Sequence, residues 1–189
     1  MTEKSFRRAH LRAPLNTGVL YVDGEYVHRC KVANISEGGI LLTELPHIPE
    51  INAIPLMLCL PRFPEFSTCS HETLLAASVK DFPMDVLRVR ARMVRQFDKK
   101  AELDAIFTKN IGCQFVLPTE IVKGLIASYV RTMAKNTIFL LGLFEQKTKN
   151  DHNIKLIRKV AGLLGHNEDE KLSLLRLKVL HDYQSLESL

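Results

Sequence analysis

All eight prolines lie at or before Pro118, and none follows it in a chain of 189 residues. Proline fixes φ and lacks a backbone N–H, so it breaks helix interiors but is tolerated in turns and edge strands. The distribution splits the chain into a first part of short strands and loops and a last part of helices. An apolar share of 46% and a charged share of 25% leave material for a packed core and exclude a disordered or fibrous chain.

Within the first part, Gly18–Val22 and Glu25–Ala33 flank Asp23-Gly24, a dipeptide favoured in tight type I′ hairpins. Gly39–Glu44 and Ile54–Leu60 are further short apolar runs between turn residues. Val86–Phe97 is the clearest strand: Leu87, Val89, Ala91 and Met93 alternate with Arg88, Arg90 and Arg92. Val94 falls out of phase, which predicts a bulge. Ile111–Leu117 completes the set. Six strands so spaced predict an antiparallel barrel or sandwich, and no helical spacing between them supports a parallel unit.

After Pro118 the apolar period lengthens. Ile121, Leu125, Ser128–Tyr129 and Thr132 mark a helix face starting near Thr119, and Ile154, Ile157, Ala161 and Leu164 mark a second that stops at Gly165. Asn167 followed by Glu168, Asp169 and Glu170 predicts a capped helix start. Leu172, Leu175, Val179 and Leu186 then recur at heptad-like spacing, with Asp182 in one seam position. The helical segment that carries this stripe is expected to pack onto the chain's own helix, to self-associate into an oligomer, or to offer a partner-binding surface used only with ligand.

Charge and cysteines narrow the function classes. The net charge of +5 conceals two basic stretches: six cations against three acids in residues 1–36, and six against one in residues 86–100. Such patches suit a phosphate-bearing partner. Cys30, Cys59, Cys69 and Cys113 form no CxxC pair and read as free thiols, so no metal site is expected. No apolar run approaches the ~20 residues of a membrane span. The first residues, MTEKSFRRAHLR, have no apolar segment behind their cations, so the expected compartment is the cytoplasm. Ser36 is not in a nucleophile elbow, and His71-Glu72 lacks the second histidine of a zinc motif. With no Walker loop and no dinucleotide fingerprint, the residues present no active site, and the chain reads as a non-enzyme.

Two short stretches carry recognisable chemistry. In Arg7-Arg8-Ala9-His10-Leu11-Arg12, ahead of the first strand, guanidinium groups can grip phosphate, read guanine at O6 and N7, or stack on a purine. In Asn34-Ile35-Ser36-Glu37-Gly38-Gly39, two polar side chains stand beside glycines that allow close approach to the backbone. Taken in order, Arg-x-x-x-Arg and then Asn-x-Ser-x-x-Gly resemble the PilZ domain family of bacteria. Ser36-Glu37-Gly38-Gly39-Ile40 is similar to the family's strand entry, and Ile111-Gly112-Cys113-Gln114-Phe115 to its last strand. A helix from Thr119 falls where the family's barrel ends in one.

The resemblance implies a six-stranded antiparallel β-barrel followed by helices, with a receptor domain at residues 1–132 and a helical extension at 133–189. It implies cyclic di-GMP as ligand, with no further cofactor. Arg8 and Arg12 match the arginines that embrace guanine and phosphate, and Asn34, Ser36, Gly38 and Gly39 the motif that meets a guanine on the barrel surface. Arg7 matches an arginine that accompanies a stacked pair of ligands. The output is then contact with an effector protein in control of motility, biofilm or surface polysaccharide. An alternative from the residues alone is a nucleic-acid-binding face made by Arg88, Arg90 and Arg92, although only Phe97 lies near as a stacking aromatic.

Overall fold

The computed structural model describes residues 10–99, 108–146 and 151–187. Its strands are β1 (Ala13–Pro14), β2 (Gly18–Asp23), β3 (Tyr26–Ser36), β4 (Gly39–Leu45), β5 (Ala53–Pro61), β6 (Met84–Lys99) and β7 (Thr108–Val116). The helices are α1 (His71–Ala76), α2 (Glu120–Glu145), α3 (Asp151–Leu163) and α4 (Leu172–Glu187). Strands β2 to β7 pair antiparallel in the order β3-β2-β5-β6-β7-β4, and β4 returns to β3, closing a six-stranded barrel. Strand β1 is an additional outer strand on β3. It takes over the edge that β2 leaves: β2 pairs with Tyr26–Lys31, and β1 with Asn34 and Ile35.

Alternation puts apolar side chains inside. Val19, Tyr21, Cys30, Val32, Leu42, Ile54, Leu58, Leu87, Ala91, Ile111 and Cys113 are buried, while Arg88, Arg90 and Arg92 face out. The expected bulge is present, as a register shift between Met93 and Arg95 that leaves Val94 exposed. The hairpin turn lies one residue later than the sequence suggests. Asp23 pairs with Tyr26, and Gly24-Glu25 forms the loop. Among the described residues of that loop only Gly24 has positive φ, the pattern of a type II′ turn and not of type I′. Asp23 instead accepts from His47 Nε2 at 2.7 Å and from the Glu50 amide at 3.4 Å, tying the hairpin to the β4–β5 connection.

Burial raises the thiols of Cys30 and Cys113 to about 12. A protonated, enclosed thiol is a poor nucleophile. Under native conditions a thiol-reactive dye should label the half-buried Cys59 and Cys69 first, and reach Cys30 and Cys113 only after denaturation. Fast labelling of all four would contradict a closed barrel.

Helix α2 is capped by the Thr119 hydroxyl, which accepts from the Val122 amide at 3.3 Å. It then runs unbroken across position 132 to Glu145. Its buried face is Ile126, Tyr129, Val130, Met133, Asn136, Thr137, Leu140 and Leu143. The sequence-derived face is thus rotated: Ile121 and Ser128 are exposed, because the barrel end is met by Tyr129 and Met133. Buried Asn136 is paired at both ends of its amide, accepting from the Phe66 amide at 2.8 Å and donating to the Pro64 carbonyl at 3.0 Å.

Helices α3 and α4 pack back onto α2. Leu175, Val179 and Leu186 are buried within the chain, so the heptad-like stripe has an intramolecular partner. The helix start expected at Asn167 is corrected to Leu172. Arg158 Nη1 donates to the carbonyls of Glu168 and of Glu170, the latter at 3.0 Å, which holds those residues as a turn. Asn167 Oδ1 accepts from the Asp169 amide at 3.0 Å inside that turn.

His166 lies between α3 and α4, its Nε2 3.5 Å from Asp182 Oδ2. Burial holds its pKa below the usual imidazole value; Asp182 and Glu170 oppose this, and Lys178 adds to it. The folded chain therefore binds fewer protons here than the unfolded one. The stability contributed is present above the unfolded value of about 6.5 and is lost as pH falls through the lowered folded value. The urea midpoint should drop on acidification, and His166→Gln should flatten that drop. Parallel curves for the two proteins would show that another group titrates.

Candidate ligand-binding site

The second motif owes its geometry to a bulge. Cys30 and Val32 point into the barrel, and so does Ile35, three residues on. The extra residue is Ala33, where the β3–β4 register shifts between Val32 and Asn34. Without it, Asn34 would take the next inward position. The bulge turns Asn34 and Ser36 away from the barrel core, where β1 flanks them; Asn34 is half-buried and Ser36 buried.

The turn that follows is tight. Ser36 pairs with Gly39 across Glu37-Gly38, and the Ser36 hydroxyl donates to the Gly39 carbonyl at 3.3 Å. The Gly38 carbonyl accepts from the Phe115 amide at 3.1 Å. Gly39 lies against β7 so closely that a Cβ there would sit 2.1 Å from the Cys113 carbonyl oxygen. At Gly38 a Cβ would meet the His10 ring, with Cδ2 at 2.6 Å. Each glycine admits a close neighbour, and the neighbours are the chain's own.

The arm reaches the same place. Ala13 pairs with Ile35 and Pro14 with Asn34, and His10 lies over Gly38, so the chain at Arg12 runs between these two contacts. Tyr129 donates its hydroxyl to the Pro14 carbonyl at 2.7 Å, and the Arg12 amide donates to the Ser185 carbonyl of α4 at 3.4 Å. The root of the arm is therefore held by β3, α2 and α4 together. Of the predicted site residues, Asn34, Ser36, Gly38 and Gly39 lie together at the β3–β4 turn, and Arg12 directly precedes the strand that pairs with Asn34 and Ile35; Arg7 and Arg8 lie outside the described residues.

Two neighbours escaped the sequence reading. One is His10 over Gly38. The other is Gln114, which pairs with Gly39 across β4–β7 and with Arg92 across β7–β6. Gln114 falls in the strand expected at Ile111–Leu117, but only the structure shows that it faces out and which residue it stands beside.

A groove of about 810 Å³ lies on the outer face of β2, β5 and β6, lined among others by Leu20, Met57, Arg88, Arg90 and Leu117. None of the motif residues lines it. Leu117 at its rim is 94% exposed with φ of 44°. Among the described residues, no group of histidines, cysteines and acids could hold a metal ion, and no helix is long and apolar enough to cross a membrane.

Residues 6–132 match the PilZ domain family model. The chain belongs to the PilZ domain family. The match begins one residue before Arg7 and ends within α2, so it spans both motifs and the whole barrel. Among solved structures, the chain is similar to an inhibitor of motility from Bacillus subtilis (MotI/DgrA) at 16% identity and TM-score 0.46, covering 66% of this chain. It spans only 50% of that protein. It is also similar to the PilZ domain of YcgR from Escherichia coli with c-di-GMP, at 14% identity and TM-score 0.43, covering 67% of this chain and 91% of that one. PlzA from Borreliella burgdorferi in complex with c-di-GMP matches at 8% identity and TM-score 0.41, covering 74% and 54% respectively. No curated protein matches.

Proposed function

We propose that the chain is a cytoplasmic cyclic di-GMP receptor without enzymatic activity, holding the dinucleotide between its arginine arm and the β3–β4 turn. Arg7, Arg8 and Arg12 supply cationic forks for phosphate and guanine, and Asn34, Ser36, Gly38 and Gly39 supply the polar surface beneath. The observation that supports this reading is the meeting of the two motifs: the arm pairs with β3 at Asn34 and Ile35, with His10 folded over Gly38. Residues far apart in the chain converge on one patch of outer surface whose chemistry suits a dianion with guanine edges.

The output is contact with another protein. Residues 1–132 form the receptor unit, and residues 133–189 the extension that carries the signal onward or joins a second copy. The Arg12–Ser185 hydrogen bond supports such a route, since a ligand that repositions the arm pulls directly on the end of α4. Control of motility, biofilm or surface polysaccharide is the corresponding role.

Calorimetric titration with cyclic di-GMP tests the receptor reading and gives the number of ligands per chain. Saturable binding is expected, and no binding overturns it. A second reading has its own observation. Arg88 and Arg90 are exposed and make no ion pair among the described residues, so the β6 face could meet nucleic-acid phosphates. Such binding, with two to three phosphates neutralised, should weaken roughly 10- to 40-fold between about 50 and 200 mM salt. A small nucleotide in a defined site should lose far less.

A further inference from the structure

We propose that Arg92 and Gln114 are a third part of the ligand site, gripping the half of the dinucleotide that lies beyond the motif turn. This rests on the receptor reading above. Gly39, Gln114 and Arg92 form one cross-strand row, Gly39 opposite Gln114 and Gln114 opposite Arg92. All three lie on the outer face, since Ile40, Cys113 and Ala91 beside them point inward and are buried. With neighbouring strands about 4.8 Å apart, the Arg92 backbone stands about 10 Å from that of Gly39. Gly39 contributes no side chain, so the surface between the motif turn and Arg92 is floored by Gln114.

The guanidinium is aimed along this row. Arg92 Nη2 donates to Gln114 Oε1 at 3.3 Å, which leans the side chain toward β7 and the motif turn. Arg92 makes no ion pair among the described residues. No acid stands in Val86–Val94, Asn110–Val116 or Ala53–Pro61, so no carboxylate on the facing strands neutralises it. An arginine has five N–H donors, and one bond to an amide leaves a fork free for phosphate or for guanine O6 and N7. The Gln114 amide adds its own donors beside that fork. A ligand with two guanines and two phosphodiesters has a second half to be held, and this row continues from the first.

Arg88 and Arg90 are not equivalent to Arg92. Arg90 is registered with Pro55 and Val116, and Arg88 with Met57, so both border the apolar groove instead of the row that ends on Gly39. Arg88 is four residues along the strand from Arg92, roughly 13 Å away. It makes a charge-matched control.

The test is calorimetric titration of the full chain with cyclic di-GMP at one salt concentration, with thermal melts to confirm folding. Arg92→Ala should weaken binding about ten-fold and Gln114→Ala a few-fold. Arg92→Lys should recover only part of the loss, because it restores the charge without the fork. Arg88→Ala should stay within about two-fold of the unaltered chain, as a distant surface charge does. Unchanged affinity in Arg92→Ala overturns the proposal, as does an equal loss in Arg88→Ala, which would mean general attraction. A chain that binds no cyclic di-GMP before any substitution overturns the receptor reading itself, a distinct result.

Discussion

Gly39→Ala should lower the melting temperature by roughly 6–12 °C, while Gly38→Ala, one residue away in the same motif, should leave it nearly unchanged. The added methyl at position 39 would stand 2.1 Å from the Cys113 carbonyl oxygen, with the Cys113 carbonyl carbon at 3.1 Å and the Gln114 Cα at 3.2 Å. All three atoms are backbone, and they belong to the strand that closes the barrel against β4. No rotamer relieves such a contact, so β4 and β7 must separate where their hydrogen bonds require about 4.8 Å. Overpacking of this kind costs about 3 kcal/mol, the upper end for inserted methyl groups, and a chain of this size loses about 2–4 °C per kcal/mol. At Gly38 the obstacle is the edge of the His10 ring, which a side-chain rotation moves aside. Melting the two single variants beside the unaltered chain decides the matter. Equal melting temperatures for all three would mean that the glycine of the motif serves the ligand and not the seam.

This contrast marks what the sequence can and cannot reveal about the site. Period and punctuation carry the barrel: the strands fall where alternation and turn residues put them, and Val94 was visible as a bulge because it breaks an otherwise regular run. The bulge at Ala33 left the same kind of mark, since Cys30, Val32 and Ile35 are out of step by one. It is harder to see because Asn34 and Ser36 are polar wherever they point. The pairing of Gly39 with Gln114, and of Gln114 with Arg92, is of another kind. It joins β4, β7 and β6, which lie up to tens of residues apart, and depends on where each strand begins relative to its neighbour. No local pattern encodes that offset. Helix α2 shows the same limit: its residues are helix formers with apolar groups nearly all round. The buried face is then chosen by what it meets, with Tyr129 reaching Pro14 and Asn136 reaching the Phe66 turn. At Asn167 local propensity was overruled outright, by a guanidinium from α3 that claims the carbonyls a helix would have used.

Replacing both Arg8 and Arg12 by alanine should weaken cyclic di-GMP binding by roughly 10²- to 10⁴-fold and leave the fold intact. A charge-assisted hydrogen bond contributes about 1.5–3 kcal/mol, so each arginine alone should be worth about ten- to a hundred-fold. The pair need not be strictly additive, because both would act on one ligand. The stability side of the prediction follows from what holds Arg12. Its amide bonds to Ser185, and the following residues Ala13 and Leu15 are buried at 0% and 2% exposure, backbone and apolar contacts that alanine at position 12 preserves. Arg7→Ala is the finer test, with the number of ligands per chain expected to fall from two toward one if the third arginine serves a stacked pair. Calorimetry gives affinity and stoichiometry in one titration, and a melt of the same samples separates lost binding from lost folding. Full affinity in the double variant would remove Arg8 and Arg12 from the site, whereas full affinity in Arg8→Ala alone would exclude Arg8 and leave Arg12, at the root of the arm, to carry the effect of the pair.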